Sequence, residues 1–405
     1  MKSVVIVGAS HAAAETIASL RKFGWDGKIV LIGDEPMLPY QRPPLSKAYY
    51  QGDIKAEKLL IRPESFYEKN EVVVKLGVRV DSINREAHSV TLNNGETVDY
   101  THLILATGTR ARKLPIPGAD LDKINYLRTK QDVDLIKSQL QSGSTLVIVG
   151  AGYIGLEVAA SAVKRGVKVV VFEAMDRVLA RVTSPQVSEF YQTVHQQEGV
   201  EIRLNSGLTK FEKNGSGLIA YTADGEQIKC DSVIVGIGVI PNIELAEDAG
   251  LDCDNGIIVD QFTQTNDPAI FAIGDCSNHH SIIYDRRIRL ESVPNAMEQA
   301  KVAAATICGR GQAYNQLPWF WSDQYDVKLQ TAGLLQDYDQ VVTRGDQEKR
   351  KFAVFYLKKG QLIAVDALNS PAEFMLSKKL IINKVSPNID QLADPDVSLK
   401  LFLLV

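Results

Sequence analysis

LVIVGAGYIGLEVAASAV, residues 146–163, decides the fold of this chain, because an apolar run meets a glycine-rich turn and then a helical pattern. A second apolar run, KVVVFEA (168–174), follows it and reaches an acid, Glu173. Strand, tight turn, helix and strand form a βαβ unit, whose buried parallel strands are continuous Val and Ile runs. The stretch therefore predicts one doubly wound α/β domain.

The same order of elements occurs near the N-terminus. VVIVGASHAAAETIASL (4–20) is an apolar run, a turn of small residues and a helical pattern, and KIVLIGDE (28–35) ends in acids. This duplication predicts an α/β chain with two nested, Rossmann-like domains. From about residue 318 the pattern changes. Alternating stretches at 351–357 and 362–368 precede helical periodicity at 374–382, which predicts a C-terminal α+β domain.

Two Gly- and Pro-rich crossings suggest where the domains meet. THLILATGTRARKLPIPGA (101–119) and DSVIVGIGVIPN (231–242) each run from a strand into such a crossing. We therefore expect a first domain of residues 1–109 and 239–317 with a second domain of residues 110–238 inserted into it. Residues 318–405 form the third domain.

Composition limits the classes of function. A net charge of −4 gives no global reason to expect a nucleic-acid partner. No apolar stretch approaches the roughly 18 residues of a membrane span, so we expect no membrane association. The four cysteines (Cys230, Cys253, Cys276 and Cys308) lie far apart, which indicates neither a metal site nor a disulfide framework and fits a reducing compartment. A cytoplasmic enzyme is expected.

The second turn carries a full GxGxxG pattern at Gly150, Gly152 and Gly155, with Tyr153 and Ile154 inside it. The first glycine permits the tight turn, the second lets the backbone approach a pyrophosphate, and the third lets the helix pack on its strand. The helix N-terminus adds free N–H donors for the phosphates. Glu173 is placed to accept hydrogen bonds from the adenosine ribose and to repel a 2′-phosphate, so NADH is favoured over NADPH.

The first turn is less regular, because it keeps Gly8 but has Ser10 and Ala13 at the other two glycine positions. Both substitutes are small, and Ser10 can still hydrogen-bond a phosphate. The acid after the next strand, Asp34 or its neighbour Glu35, supports a second dinucleotide site here.

The residues that follow assign FAD to the first turn. YQRPPLSK (40–47) places one cation near a phosphate and another at the start of a helix, a strand ends in ATG, and a second strand ends in an acid that can meet the ribityl chain. The residues concerned are Arg42, Lys47, Ala106, Thr107, Gly108 and Asp275. An acid at the end of a strand can also be a helix N-cap.

In this order the motifs resemble the FAD/NAD(P)H disulfide-reductase superfamily and, within it, NADH-dependent ferredoxin reductases of cytochrome P450 and ring-dioxygenase systems. The resemblance covers nearly the whole chain. Its most specific blocks are YQRPPLSKAYY (40–50), GAGYIGLEVAA (150–160), RLESVPNAMEQA (289–300) and PWFWSDQYDVKLQTAGL (318–334).

The resemblance implies roles for particular residues. Lys47 and Glu157 match a lysine–glutamate pair beside flavin N5, and Tyr153 matches an aromatic residue that covers the flavin until nicotinamide displaces it, although it can equally be a packing residue. Trp321 is expected to shield the flavin and Trp319 to pack. The positions that match FAD contacts in the family are Ala12, Asp34, Lys47, Val80, Arg128, Asp275 and Val293.

One missing feature sharpens the predicted reaction. Disulfide reductases of the superfamily carry a redox CxxxxC beside the flavin, but 42–47 here has no cysteine, nor do the first 229 residues. Electrons therefore cannot leave through a protein thiol. We expect NADH to reduce FAD and the flavin to pass single electrons to a 2Fe–2S ferredoxin.

The sequence is also compatible with other functions. Rubredoxin or monodehydroascorbate reduction uses the same fold and a similar RPxLSK block, and a non-catalytic flavin protein resembling apoptosis-inducing factor would instead carry basic DNA-binding surfaces. Ferredoxins are typically acidic, so a basic docking patch is expected. The cations considered for it are Arg310, Lys378, Lys379 and Lys384.

Overall fold

The computed structural model describes residues 2–403 of the chain. Contacts divide it into two compact units, each made of three segments. The first unit contains Ala56–Arg110, Ile240–Pro318 and the chain up to Gln41. The second unit contains Arg42–Lys55, Ala111–Val239 and the chain from Trp319 onward.

The strands of the described residues, in chain order, are β1 (Ser3–Val7), β2 (Lys28–Gly33), β3 (Val72–Leu76), β4 (Val80–Asn84), β5 (Ser89–Leu92), β6 (Thr97–Asp99), β7 (His102–Leu105), β8 (Thr109–Ala111), β9 (Ile124–Asn125), β10 (Thr145–Val149), β11 (Lys168–Phe172), β12 (Glu201–Arg203), β13 (Leu208–Asn214), β14 (Gly217–Thr222), β15 (Gln227–Cys230), β16 (Ser232–Val235), β17 (Val239–Pro241), β18 (Ile257–Val259), β19 (Ile270–Ala272), β20 (Ser277–Ser281), β21 (Arg286–Ile288), β22 (Trp319–Gln324), β23 (Val327–Gly333), β24 (Gln340–Asp346), β25 (Lys351–Lys358) and β26 (Gln361–Leu368).

The α-helices, over the same residues, are α1 (His11–Lys22), α2 (Ala48–Gln51), α3 (Glu64–Lys69), α4 (Lys130–Gln139), α5 (Tyr153–Lys164), α6 (Pro185–Gln197), α7 (Glu244–Asp248), α8 (Val293–Ile307), α9 (Pro371–Ile382) and α10 (Ile389–Ala393). Short 3₁₀ turns occur at Pro43–Ser46, Ala56–Leu59, Gly274–Cys276 and Leu399–Leu403.

The first unit is built on a five-stranded parallel sheet in the order β19-β7-β1-β2-β3. Both faces of the sheet are covered, so strand β1 is buried along its whole length. Val4 and Ile6 pack toward α1 and α8, whereas Val5 and Val7 pack toward the small antiparallel sheet β4-β5-β6. This alternation explains why the strand is apolar throughout.

The second unit repeats this arrangement with the parallel sheet β12-β11-β10-β16-β9. Val147 and Val149 of β10 pack against the antiparallel sheet β13-β14-β15, where they meet Phe211 and Leu218. Helix α5 covers the other face and is buried over most of its length. The turn after β10 therefore opens at the carboxyl edge of the sheet, where doubly wound folds bind their ligands.

The same unit ends in a five-stranded antiparallel sheet, β22-β23-β26-β25-β24, with α9 packed on it. Strands β25 and β26 are almost entirely buried. The predicted fold class, two Rossmann-like α/β domains with a C-terminal α+β domain, is confirmed. The exact domain boundaries stay a prediction. None of the helices between residues 2 and 403 is long and apolar enough to cross a membrane.

Candidate functional site

The glycine turn of the second unit joins β10 to α5, and its three glycines meet different surroundings. Gly150 has a φ of 101°, and a Cβ on it would lie 2.5 Å from the carbonyl oxygen of Gly236. A Cβ on Gly155 would lie 2.2 Å from the carbonyl oxygen of Gly150. The fold itself therefore requires these two glycines.

Gly152 is different, because a Cβ there would meet nothing within 4 Å. It is the N-cap of α5, and its own side chain position faces open space. No packing requirement explains this glycine, whereas close approach of a phosphate to the backbone does. The turn therefore fits a nucleotide pyrophosphate.

Glu173, directly after β11, is tied to this turn. Its Oε2 accepts the backbone N–H of Ala151 at 2.7 Å, and its Oε1 accepts that of Met175 at 2.9 Å. The predicted proximity of acid and turn is therefore present, while its contact with a ribose stays a prediction. Ile154 and Met175 leave their side chains 42% and 49% exposed, and Met175 was not part of the sequence prediction.

The first unit presents its own turn between β1 and α1. Gly8 has a φ of 110°, and a Cβ would lie 2.1 Å from the carbonyl oxygen of Ala106. Ser10 is the N-cap of α1 and makes no side-chain capping bond, so its hydroxyl is not committed to the helix backbone. Ala12 and Ala13 are buried under the turn. This arrangement matches the predicted first turn, and its FAD contacts stay predictions.

The two acids after β2 behave differently. Asp34 is exposed, whereas Glu35 is half-buried and accepts a hydrogen bond from the Tyr40 hydroxyl at 2.5 Å. The sequence left open which of them serves a ribose. The exposed Asp34 is the better placed to reach a ligand, since Glu35 already holds Tyr40.

The ATG segment and Asp275 meet within the first unit. Thr107 Oγ1 donates to the Asn242 carbonyl at 2.7 Å, and the Asn242 side-chain amide donates to the Thr107 carbonyl at 2.9 Å. The next residues continue the contact, since Thr109 Oγ1 makes a long 3.4 Å hydrogen bond to Asp275 Oδ2. Asp275 lies in the 3₁₀ turn after β19, and this bond brings it to the residue that follows Gly108. The sequence prediction missed Asn242, which holds Thr107 in place.

The outlying FAD positions of the first unit are Val80 and Val293. Val80 begins β4 and belongs to the core cluster, with 6% of its surface exposed. Val293 is the first residue of α8, whose N-cap Ser292 accepts the Asn295 N–H. Val80 can therefore offer a ligand little side-chain surface, and both FAD contacts stay predictions.

The Lys47–Glu157 pair lies within the second unit. Lys47 follows the 3₁₀ turn Pro43–Ser46, and its Nζ lies 2.7 Å from Glu157 Oε2 on α5. It also donates to the Pro43 carbonyl at 3.2 Å. The residues are 110 positions apart in sequence, so the expected pairing is a tertiary contact. That contact is present, and its role beside a flavin stays a prediction.

Glu157 is a buried carboxylate, with only 6% of its surface exposed, and burial of a charge is costly unless it is paired. Besides Lys47 it accepts hydrogen bonds from two hydroxyl groups, Ser46 Oγ at 2.5 Å and Ser322 Oγ at 2.6 Å. The hydroxyls and the ammonium together satisfy both oxygens. Ser46 and Ser322 lie in the specific blocks 40–50 and 318–334, but the sequence predicted no role for them.

Tyr153 opens α5 and touches the aromatic run of β22. Its ring meets Phe320 edge-to-face, with centroids 4.8 Å apart. Burial, with the charge of Asp366 added, raises the pKa of the Tyr153 hydroxyl well above its usual value. The hydroxyl oxygen itself is buried, and the ring packs on Phe320, so any displacement of this ring begins from a packed position.

The two tryptophans of the same strand, Trp319 and Trp321, have different surroundings. Trp319 packs on Phe374 with ring centroids 5.6 Å apart, and Lys378 lies over its ring at 5.2 Å. Trp321 stacks at a tilt on Trp319, at 5.8 Å, and is half-buried. The packing of Trp319 is confirmed, whereas shielding of a flavin by Trp321 stays a prediction.

Arg42 and Arg128 also come together in the second unit, where Arg42 Nη1 donates to the Arg128 carbonyl at 2.8 Å. Their contacts with FAD stay predictions. The cysteines offer no alternative electron carrier. All four are free, and burial raises the pKa of Cys230 to about 12 and that of Cys253 to about 11. No cluster of metal ligands occurs among residues 2–403.

The chain is similar to known proteins over nearly its whole length. Residues 2–300 match the family model described as pyridine nucleotide-disulphide oxidoreductase, and residues 319–403 match one described as reductase C-terminal. The chain is 44% identical over 404 residues to putidaredoxin reductase CamA of Pseudomonas putida, covering 98% of this chain and 96% of that protein.

Rhodocoxin reductase of Rhodococcus erythropolis is 44% identical over 400 residues, covering 98% of this chain and 94% of that protein. Among solved structures, the covalent putidaredoxin reductase–putidaredoxin complex superimposes with a TM-score of 0.96 at 42% identity. That match covers 100% of this chain and 98% of the other. The likeness therefore spans both dinucleotide folds and the C-terminal sheet.

Proposed function

The chain belongs to the pyridine nucleotide-disulphide oxidoreductase family, and from that premise we propose that it is an NADH:ferredoxin oxidoreductase. It is an oxidoreductase that uses FAD and NAD(H), as members of this family do. Its electrons pass from NADH to a 2Fe–2S ferredoxin that supplies a cytochrome P450 or a ring-hydroxylating oxygenase. Bound FAD supplies the conversion of a two-electron donor into single electrons.

We assign the two nucleotides to the two turns. NADH lies on the second turn, where Gly152 leaves space for phosphate and Glu173 receives the ribose; its contacts are Gly150, Gly152, Tyr153, Ile154, Gly155 and Glu173. FAD lies on the first turn, with contacts drawn from Gly8, Ser10, Ala12, Ala13, Asp34, Glu35, Arg42, Lys47, Val80, Ala106, Thr107, Gly108, Arg128, Asp275, Val293 and Trp321.

The Lys47–Glu157 pair is the observation that carries the proposal. An ammonium group held at 2.7 Å by a buried carboxylate is a fixed positive charge, because Glu157 restrains its position. Such a charge stabilises negative charge that develops on a neighbouring ring, and a preorganised charge does so without reorganisation. Lys47 therefore binds and orients the flavin ring, and Tyr153 covers that ring until nicotinamide enters. No protein acid or base is needed for hydride transfer.

The cysteines indicate where the electrons go. The segment beside Lys47 reads Pro43-Pro-Leu-Ser46, and every cysteine of the chain lies at position 230 or later. None of the four is paired, and burial raises the pKa of each thiol, which disfavours the reactive thiolate. An external one-electron carrier is the remaining route for electrons.

A ferredoxin is the carrier that the relatives favour, since one solved relative is a covalent complex of putidaredoxin reductase with putidaredoxin. We propose that a basic patch on and directly after α9 receives it, drawn from Lys378, Lys379 and Lys384. Arg310, which the sequence also suggested, belongs to the other unit. Lys378 is the best supported, because its ammonium lies over the Trp319 ring and so is held at the surface of the C-terminal sheet.

We further propose a cytoplasmic location and a division by function. Four unpaired cysteines fit a reducing compartment. Residues 1–109 and 239–317 bind FAD, residues 110–238 bind NADH, and residues 318–405 form the C-terminal α+β domain.

The test is a steady-state assay of NADH oxidation with purified 2Fe–2S ferredoxins, rubredoxin and monodehydroascorbate as acceptors. Turnover with a ferredoxin, well above the other two, is expected. In stopped-flow, Lys47→Ala should slow flavin reduction by about 100-fold, the scale of losing one preorganised charge contact, with Lys47→Arg losing less. If no acceptor supports turnover, the proposal is contradicted. If NADH reduces the flavin of Lys47→Ala as fast as that of the wild type, the role of Lys47 is contradicted.

A further inference from the structure

A line of buried hydrogen bonds leads away from Glu157 on the side opposite to Lys47. Ser322 Oγ bonds Glu157 Oε1 at 2.6 Å, and Gln324 Nε2 bonds Ser322 Oγ at 3.2 Å. Gln324 Oε1 then meets His195 Nε2 at 2.8 Å, and His195 Nδ1 meets the Tyr325 hydroxyl at 3.0 Å. We call these four residues, Ser322, Gln324, His195 and Tyr325, the Glu157 relay.

The ionised Glu157 fixes the direction of every bond in the relay. A carboxylate only accepts, so Ser322 must donate its single proton to it. Ser322 can then only accept from Gln324, which turns the amide nitrogen toward it and the amide oxygen toward His195. That oxygen requires an N–H at His195 Nε2, which leaves Nδ1 to accept from Tyr325. All donors therefore point toward Glu157.

The three relay residues nearest to Glu157 are buried. Ser322, Gln324 and His195 are each no more than 1% exposed, so water does not replace a lost partner. Alternation along β22 puts Ser322 and Gln324 on one face of the sheet, and His195 reaches them from α6. Burial also lowers the pKa of His195 to about 4, which keeps the ring neutral as the direction of the bonds requires.

Tyr325 closes the relay from an unfavourable backbone conformation. Its φ of 56° lies in the left-handed region, which costs a bulky residue about 1 kcal/mol or more. The ring lies edge-on to His195, with centroids 5.0 Å apart, while its hydroxyl makes the hydrogen bond. The relay thus ends at a half-exposed residue that is held in one orientation.

We propose that Gln324 and His195 are positioning residues that act through Ser322 to hold the Glu157 carboxylate, and so the Lys47 ammonium, in the geometry needed for reduction by NADH. Aligned donors stabilise the negative charge of Glu157 where solvent is excluded. They also fix its second oxygen, since Oε1 is bound by Ser322 and only Oε2 faces Lys47. This inference rests on the proposed function.

A purely structural role makes a different prediction. If the relay only attaches α6 to β22, breaking it lowers stability and leaves the kinetics of the folded protein unchanged. If it positions Lys47, breaking it slows flavin reduction while the dissociation constant of NADH stays the same. It should also change the midpoint potential of the bound flavin, a quantity that does not depend on turnover.

The first test uses His195→Phe and His195→Gln in the FAD-loaded protein. His195→Phe removes the donor to Gln324, and we expect the rate constant of flavin reduction to fall about tenfold, the scale of one buried hydrogen bond to a charged network. His195→Gln keeps an amide donor near the Nε2 position and should recover most of the rate. Tyr221→Phe is the control, because it removes a tyrosine hydroxyl bound to Glu212 at 2.6 Å on an exposed hairpin.

If His195→Phe does not fold, Tyr325→Phe removes only the terminal hydroxyl and should slow reduction about twofold to threefold. A second test reads the ring itself. In ¹⁵N-histidine-labelled protein near neutral pH, His195 should be neutral and carry its proton on Nε2. A proton on Nδ1, or variant rates equal to wild type, overturns the relay. A wild-type protein that NADH does not reduce overturns the proposed function instead, and the inference with it.

Discussion

The two glycine turns do the same structural work with different amounts of glycine. At the first position they are alike, because Gly8 and Gly150 both have positive φ and both would place a Cβ against a carbonyl oxygen of a neighbouring strand end. Each also donates its N–H to the end of the adjacent strand, at 2.8 Å to Ile32 and 2.7 Å to Phe172. This position is therefore demanded by the crossing of the chain.

The third position separates the two turns. In the second unit a Cβ on Gly155 would fall 2.2 Å from the Gly150 carbonyl, so α5 approaches its turn too closely for any side chain. In the first unit Ala13 occupies this place and is fully buried. The first turn therefore departs from the GxGxxG pattern because its helix leaves room for a methyl group.

The second position teaches most, because Gly152 faces open space while Ser10 has a side chain. Nothing in the second unit requires a glycine there. The proposed nucleotide accounts for the missing side chain, and in the first turn Ser10 would offer a ligand a hydroxyl group instead. The comparison thus separates glycines that serve the fold from one that we propose serves binding.

The largest effect is expected from Gly8→Ala and Gly150→Ala. Each adds a methyl group within 2.5 Å of a backbone oxygen at a φ of 110° or 101°, so we expect a loss of more than about 3 kcal/mol of unfolding free energy. Urea unfolding followed by circular dichroism measures it. Gly24→Ala and Gly143→Ala are controls, because both have positive φ but open space. Equal losses in all four variants would contradict the role of the backbone contact.

Acid should weaken both units. Burial lowers the pKa of His279 in the first unit and of His195 in the second to about 4, below the ordinary 6.5. The unfolded chain binds these protons at a higher pH than the folded one, so stability is full above pH 6.5 and falls as the pH drops toward 4. Each histidine contributes about 3 kcal/mol to this loss. Urea unfolding at a series of pH values measures the slope.

The corresponding variants sharpen this test. His279→Gln and His195→Gln should each flatten the slope of stability against pH, whereas His88→Gln, at an exposed position, serves as the control. A slope that both buried variants leave unchanged would show that these histidines do not cause the acid sensitivity.

Glu173→Gln should act on the second turn alone. The variant keeps an acceptor for the Ala151 N–H but loses the charge, so we expect NADH binding to weaken about tenfold and discrimination against NADPH to fall. Titration of both nucleotides, with FAD content as the internal check on the first turn, measures the effect. Equal preference for NADH in variant and wild type would rule out Glu173 as the selecting residue.

The smallest effects on stability are expected at the second position of each turn. Gly152→Ala meets no atom within 4 Å and loses only a glycine N-cap, so stability should fall by no more than about 1 kcal/mol while the KM for NADH rises about tenfold. Ser10→Ala should reduce FAD affinity about threefold to fivefold through one lost hydrogen bond. A large loss of unfolding free energy in Gly152→Ala, with an unchanged KM for NADH, would contradict the distinction between the glycines.

Much of this molecule could be predicted from the sequence, because its information is local. A buried parallel strand must be apolar on both faces, and a tight turn must have a glycine at positive φ. Residues 4–35 and 146–174 therefore predict two βαβ units. The acid after β11 and the alternating strands of the C-terminal sheet follow from the same periodicities. The missing cysteines, also visible in the sequence, directed the prediction toward an external electron carrier.

Tertiary structure alone decided which polar groups meet. Ser46 and Ser322 converge on Glu157 from segments 111 and 165 residues away, and His195 meets Gln324 across 129 residues. No local periodicity marks a serine or a glutamine for such a contact, because the hydrogen bond depends on where three separate elements pack. The sequence determined the two turns and the kinds of residue around them, and packing determined that Glu157 is held on one side by Lys47 and on the other by a buried line of donors.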